Sequence, residues 1–250
     1  MQNFTIHWLF YGATALYLLA AALVFLKKPR LSLAGLLAGF TVHTAYMVSR
    51  GWIGGTFVPN GITDSVYLLP WGIAAVLITL YMVQKRDDIL YGLVLLSLFT
   101  LFAVYYPDGM IPPTPRKLTL WAQAFFFSEI LAHALFYCAG FFGLLSIMKK
   151  ERWEFNITTM LVWGFVFYSI AQVTGAVWCY KGWSALFKWS PRHMQSATIW
   201  LLYANFVHLK YIPGWTARKK AFYAVAAAVV VLVFTMGSYL HEMSFPRIGG

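Results

Sequence analysis

Charge is what this sequence has least of. Only 11% of its 250 residues are charged and just eight are acidic, where a soluble domain carries about 25% charge. A chain that is 60% hydrophobic cannot cover itself with a water-facing surface, so the soluble globular class is excluded and a polytopic membrane protein remains. Cysteine is nearly absent as well. Cys138 and Cys179 form neither a CxxC pair nor a metal-ligand spacing. One lies within an apolar run and the other in a tryptophan-rich segment, which argues against a disulfide between them. There is no P-loop, no GxGxxG, no Ser/His/Asp arrangement, no internal repeat and no low-complexity tract. Phosphate-cradling and triad chemistry have no residues to work with. The net charge of +11 is spread in short clusters between apolar runs and not gathered into one patch. With no nucleic-acid motif beside them, these clusters read as membrane topology signals, and no nucleic-acid partner is expected.

What the chain has in quantity is apolar runs. A helix needs about 20 such residues to cross a bilayer. Eight segments qualify, at about 6–26, 31–49, 65–84, 88–106, 118–148, 157–177, 194–210 and 220–241. The expected fold is an all-α, polytopic integral membrane helical bundle of eight transmembrane helices, with residues 1–250 as a single transmembrane domain. The first run lacks a basic leader and is followed by KKPR, so it reads as a retained helix. Twelve of the nineteen Lys and Arg residues follow the first, third, fifth and seventh spans. The positive-inside rule puts these on the cytoplasmic side of a bacterial-type inner membrane, with both termini outside.

The densest chemistry lies between Gly175 and His208, GAVWCYKGWSALFKWSPRHMQSATIWLLYANFVH. Trp178, Trp183 and Trp189 crowd a stretch that should be a loop on the outer side, spanning 178–193. Tryptophan also collects in aromatic belts at membrane surfaces, but a belt does not account for Gly, Pro and basic residues at fixed offsets. The spacing resembles the tryptophan-rich "WWD" loop of the cytochrome c assembly family of haem-handling membrane proteins (the CcsA/CcmC/CcmF type). Gly175, Trp178, Trp183, Trp189, Pro191–Arg192, Trp200–Leu201 and His208 fall in register without a gap. Ser190 stands where that motif has its aspartate, and His193 where it usually has an acidic residue. The resemblance implies a haem platform on the outer face of the membrane. A basic outer loop around Lys188 and Arg192 fits haem propionates; contact with the headgroups of membrane lipids is the competing reading.

Six histidines complete the inventory: His7, His43, His133, His193, His208 and His241. Imidazole is a standard axial ligand for b-type haem, while a single membrane histidine also serves as a hydrogen-bonding link between helices. At 1.5 Å rise per residue, His43 lies roughly 18 Å and His133 roughly 22 Å from the inner ends of their spans. This places them at one depth as a candidate bis-histidine pair. His208 sits near the inner end of the seventh span. His241 and His193 lie outside as an alternative pair. By resemblance, His241 and His208 match family histidines, whereas the family's histidine ahead of the loop would fall near Phe125. Glu129, one turn before His133, is placed to orient an imidazole or to serve a proton path.

The resemblance therefore implies haem binding, transport and presentation for cytochrome complex assembly. The cofactor expected is haem b, held transiently, and the partners are apocytochrome c or a partner membrane subunit. At most the chain would be the membrane subunit of a cytochrome c synthase. A haem b-binding electron-transfer or structural subunit of a respiratory complex is the second reading, and a scaffold without haem the third.

Overall fold

In hydrocarbon every backbone N–H and C=O must find its partner within the protein, so apolar runs of this length form helices. A computed structural model describes residues 2–56, 62–106, 114–149 and 153–244. Among them there is no strand. Eight α-helices follow one another: α1 (Gln2–Phe25), α2 (Pro29–Gly54), α3 (Ile62–Gln84), α4 (Gly92–Tyr105), α5 (Leu120–Lys149), α6 (Glu154–Trp183), α7 (Pro191–His208) and α8 (Ala217–Ser244). Short 3₁₀ turns precede α4 and α5 and follow α7. The protein is an all-α polytopic membrane bundle. Among the described residues, seven helices are long and apolar enough to cross a membrane. The exception is α7, an 18-residue helix whose first turns carry Arg192, His193 and Gln195 in place of apolar residues.

The helices form two neighbourhoods, α1 against α2 and α5 against both α6 and α8, with α3 linking them. Close approach rests on small residues, as is usual between membrane helices. A Cβ placed on Gly140 of α5 would stand 2.3 Å from Cβ of Ala228 on α8, so neither position has room for a larger side chain.

Charged and aromatic contacts fix the two ends. At one end Lys220 of α8 reaches Glu154 of α6 at 2.6 Å, Gln84 of α3 donates to Asn156 at 2.7 Å, and the Arg86 guanidinium lies over Trp153. At the opposite end Arg50 of α2 donates to Asp64 of α3 at 2.7 Å and sits over the Tyr67 ring.

Several boundaries differ from the sequence expectation. The second span was expected to end at 49, yet α2 continues through Gly54 and stops at Gly55, whose φ of 66° suits glycine. The tryptophan loop expected over 178–193 is shorter. α6 runs on to Trp183 and α7 starts at Pro191, leaving 184–190 as the only non-helical part. Nothing between Gly175 and Gly182 breaks a helix strongly enough to end α6 earlier. It ends at Ser184, left-handed with φ 56°, whose N–H returns to the Tyr180 carbonyl at 2.7 Å. Ser190 is extended and Pro191 occupies the first turn of α7, the position where a missing N–H costs nothing. Between the fourth and fifth spans, residues 107–113 lie outside the described residues, and Pro115–Leu118 form a 3₁₀ turn ahead of α5.

Candidate functional site

The short loop folds back over the end of the bundle and encloses a cleft of about 280 Å³, close to the lower limit of roughly 300 Å³ for small-molecule sites. Its walls are aromatic. Trp178 and Trp183, one and a half turns apart on α6, meet edge to face at 5.6 Å. Phe125 of α5 lies 5.8 Å from Trp178, and Phe187 closes the loop side. Gly175 makes this wall possible, because a Cβ there would stand 2.8 Å from the Phe125 ring. Arg116 ties the wall to the start of α5. Its carbonyl accepts the Trp178 indole N–H at 2.8 Å and its guanidinium lies 5.2 Å from the Trp183 ring centre.

Beside Ala176, Cys179 and Leu186, the lining carries a polar and basic group: Lys188, Arg192, His193 and Ser196, with Gln172 from α6. The Lys188 ammonium is 4.7 Å from the Trp183 ring centre, within cation–π range. His193 is held at Nδ1 by the Ser190 hydroxyl at 2.8 Å, and its Nε2 faces the Cys179 sulfur at 3.9 Å. Burial, then the charges of Arg192 and Lys188, push its pKa below the ordinary imidazole value. The ring is therefore neutral at pH 7, and once Nδ1 donates to Ser190 its Nε2 lone pair has only the weak Cys179 S–H donor to displace. Cys179 and Cys138 are both free thiols.

A second, smaller cavity of about 60 Å³ lies deeper. Glu129 and His133 of α5, Tyr168 of α6 and Ser65 of α3 line it, and Arg192 and Ser196 of α7 line both it and the cleft.

The structure brings Trp178, Trp183, Arg192 and His193 together in the cleft. Trp189 stands beside it, packed on Phe187 and 85% exposed. His133 opens into the deeper cavity, and its Nε2 has no hydrogen-bond partner. His43 belongs to another cluster, between α1, α2 and α3. Its Nε2 is 3.0 Å from the Tyr67 carbonyl and its Nδ1 3.4 Å from the Tyr17 hydroxyl. His43 and His133 thus pack among different neighbours, and both nitrogens of His43 are engaged with its own. His208 lies at the far end of α7, exposed, with Nδ1 2.7 Å from the Ala204 carbonyl. His241 lies in the last turns of α8, and its side chain falls outside the described residues. His7 is buried against Tyr46 and Tyr67.

Sequence reasoning missed Arg116, Gln172 and Phe187 as parts of the site. Phe125 had been noted only as the place of an expected histidine. Here it is a wall of the cleft.

Fold and cleft together define a polytopic α-helical membrane protein with an aromatic, basic ligand cleft at one end of its bundle. The family described as cytochrome c assembly protein matches residues 60–244, and the chain belongs to that family. Among curated proteins it is similar to cytochrome c biogenesis protein CcsA of Prochlorococcus marinus (strain MIT 9303). That match is 24% identical over 148 residues, 59% of this chain and 46% of the relative. The CcsA proteins of Synechococcus sp. (strain CC9902) and Welwitschia mirabilis are each 29% identical, over 40% and 36% of this chain and 33% and 29% of their own lengths. The matched part thus spans less than half of each relative.

Proposed function

We propose that the chain handles haem for cytochrome c biogenesis, presenting it in the cleft at the outer face of the membrane for attachment to apocytochrome c. The observation that carries this reading is the convergence of three kinds of group on one space. Trp178, Trp183, Phe125 and Phe187 offer π faces and edges to a flat macrocycle. Lys188 and Arg192 offer charge-assisted hydrogen bonds to carboxylates. His193 offers a neutral Nε2 already oriented by Ser190. These residues fit haem in kind. Once bound, haem would supply the iron and the porphyrin edge to which an apocytochrome is joined. The protein's own part is to bind, orient and expose that group.

The orientation follows from charge. Twelve of the nineteen Lys and Arg residues follow the first, third, fifth and seventh spans, and the positive-inside rule supports reading that side as the cytoplasm of a bacterial-type inner membrane, with the cleft outside. Trp189, exposed beside the cleft, is placed to meet membrane lipids, an apocytochrome c or a partner membrane subunit. The family membership and the CcsA relatives support the biogenesis role.

One observation favours a second reading, a haem b-bearing electron-transfer or structural subunit. Phe125 stands where the resemblance expects a histidine, so the cleft lacks one ligand for handing haem on. Haem that survives purification and cycles between two redox states would support that reading over the first.

The test is a pyridine haemochrome assay on detergent-purified protein. Replacing both Trp183 and Trp189 by Ala should lower haem recovery severalfold while the protein still accumulates in the membrane. Unchanged haem content overturns the proposal.

A further inference from the structure

Glu129 is the one acidic residue that α5 carries. It lies nine residues inside the helix start, roughly 14 Å along the axis at 1.5 Å per residue. A lone carboxylate at such depth is costly and marks function more often than packing. It does not stand in a closed apolar pocket. The cavity around it is bordered mainly by polar side chains, and the buried His133 presents there an Nε2 without a partner. At about 60 Å³ the space is too small for a porphyrin and large enough for several waters, each needing roughly 10–15 Å³ of such volume.

The cavity meets the cleft at Arg192, which lines both. Its charge acts on both Glu129 and His133. The other groups facing Glu129 and His133 across the packed helices are few. Tyr168 comes from α6 and Tyr137 from α5, while α3 and α8 contribute Ser65, Phe234 and Thr235, none of them charged. Among the described residues, Arg192 is thus the one counter-charge that the cavity shares with the cleft.

We propose that Glu129, with His133 and the waters between them, is a proton-uptake site coupled to the cleft through Arg192. A carboxylate ligand that pairs with Arg192 from the cleft side neutralises the charge facing Glu129. A proton from the outer water then joins the Glu129 carboxylate, and the cavity regains neutrality as the carboxylic acid. By linkage, the same coupling makes an anionic cleft ligand bind more tightly as the pH falls. This inference rests on the cleft being a site for a porphyrin with carboxylate arms.

The experiment uses iron-free protoporphyrin, which carries the carboxylates and makes no bond to an imidazole. Binding to the detergent-purified full chain is followed by quenching of tryptophan fluorescence. Proton uptake is followed with an indicator dye in weakly buffered solution. Wild type should take up about one proton more per porphyrin than Glu129→Gln. Glu129→Asp, which keeps the carboxylate, should retain uptake and so separates the proton role from a packing role. Arg192→Gln should lose uptake and bind porphyrin about tenfold more weakly or worse. Equal uptake in wild type and Glu129→Gln, with porphyrin bound to both, overturns this inference and leaves the cleft reading intact. Failure of porphyrin to bind wild type overturns both.

Discussion

His193 shows how a departure from a family pattern can be chemically coherent. An aspartate at position 190 would add negative charge beside two cations. Ser190 instead gives a neutral hydroxyl that holds Nδ1 of His193 and leaves Nε2 toward the cleft. His43 behaves in the opposite way. Fully buried and with both nitrogens bonded, it links α1, α2 and α3. We therefore predict that His43→Ala lowers stability by about 1–3 kcal/mol, the usual effect of orphaning buried partners, and leaves haem content per folded molecule unchanged. Thermal unfolding in detergent beside the haemochrome assay measures both. Loss of haem with stability intact would make His43 a ligand after all.

At the scale of elements, the bundle depends on small residues where helices touch. Gly140→Leu forces a side chain into Ala228 and should cost about 1–3 kcal/mol or more by overpacking, read as a lower melting temperature of the detergent-solubilised protein. Gly175→Ala is a finer probe. The atoms nearest its Cβ all belong to the Phe125 ring, which has the open cleft beside it, so folding should survive while the ring is pushed into the cleft and porphyrin quenching weakens severalfold. Unaltered quenching would show that this wall does not contact the ligand.

The helices themselves were legible in the sequence, because long apolar runs have one structural solution in lipid. Their ends were less so. The sixth span was expected to end at 177, but α6 runs through Gly175, which leaves room for Phe125, and through Gly182 up to the left-handed Ser184. Within the site, Trp178, Trp183, Arg192 and His193 were readable because they are neighbours in sequence. Phe125, Arg116 and Gln172 were not, since their part depends on contacts between helices that no local spacing encodes. Depth alone paired His43 with His133, but helix rotation and neighbours decide who meets.

For the whole molecule, the proposed orientation puts the loop end outside and the opposite end in the cytoplasm. Reporter fusions at Lys28, Arg86 and Lys219 should report the cytoplasm and a fusion at Lys188 the outside. A cytoplasmic Lys188 would remove the outer platform. Whether haem is held in the cleft beneath the tryptophan loop is read from the absorption spectrum of haem on purified single-histidine variants. His193→Ala should shift or abolish the haem bands, with His43→Ala and His208→Ala retaining the wild-type spectrum. A wild-type spectrum in His193→Ala, with the bands lost in His43→Ala, would contradict it and move the haem into the membrane interior.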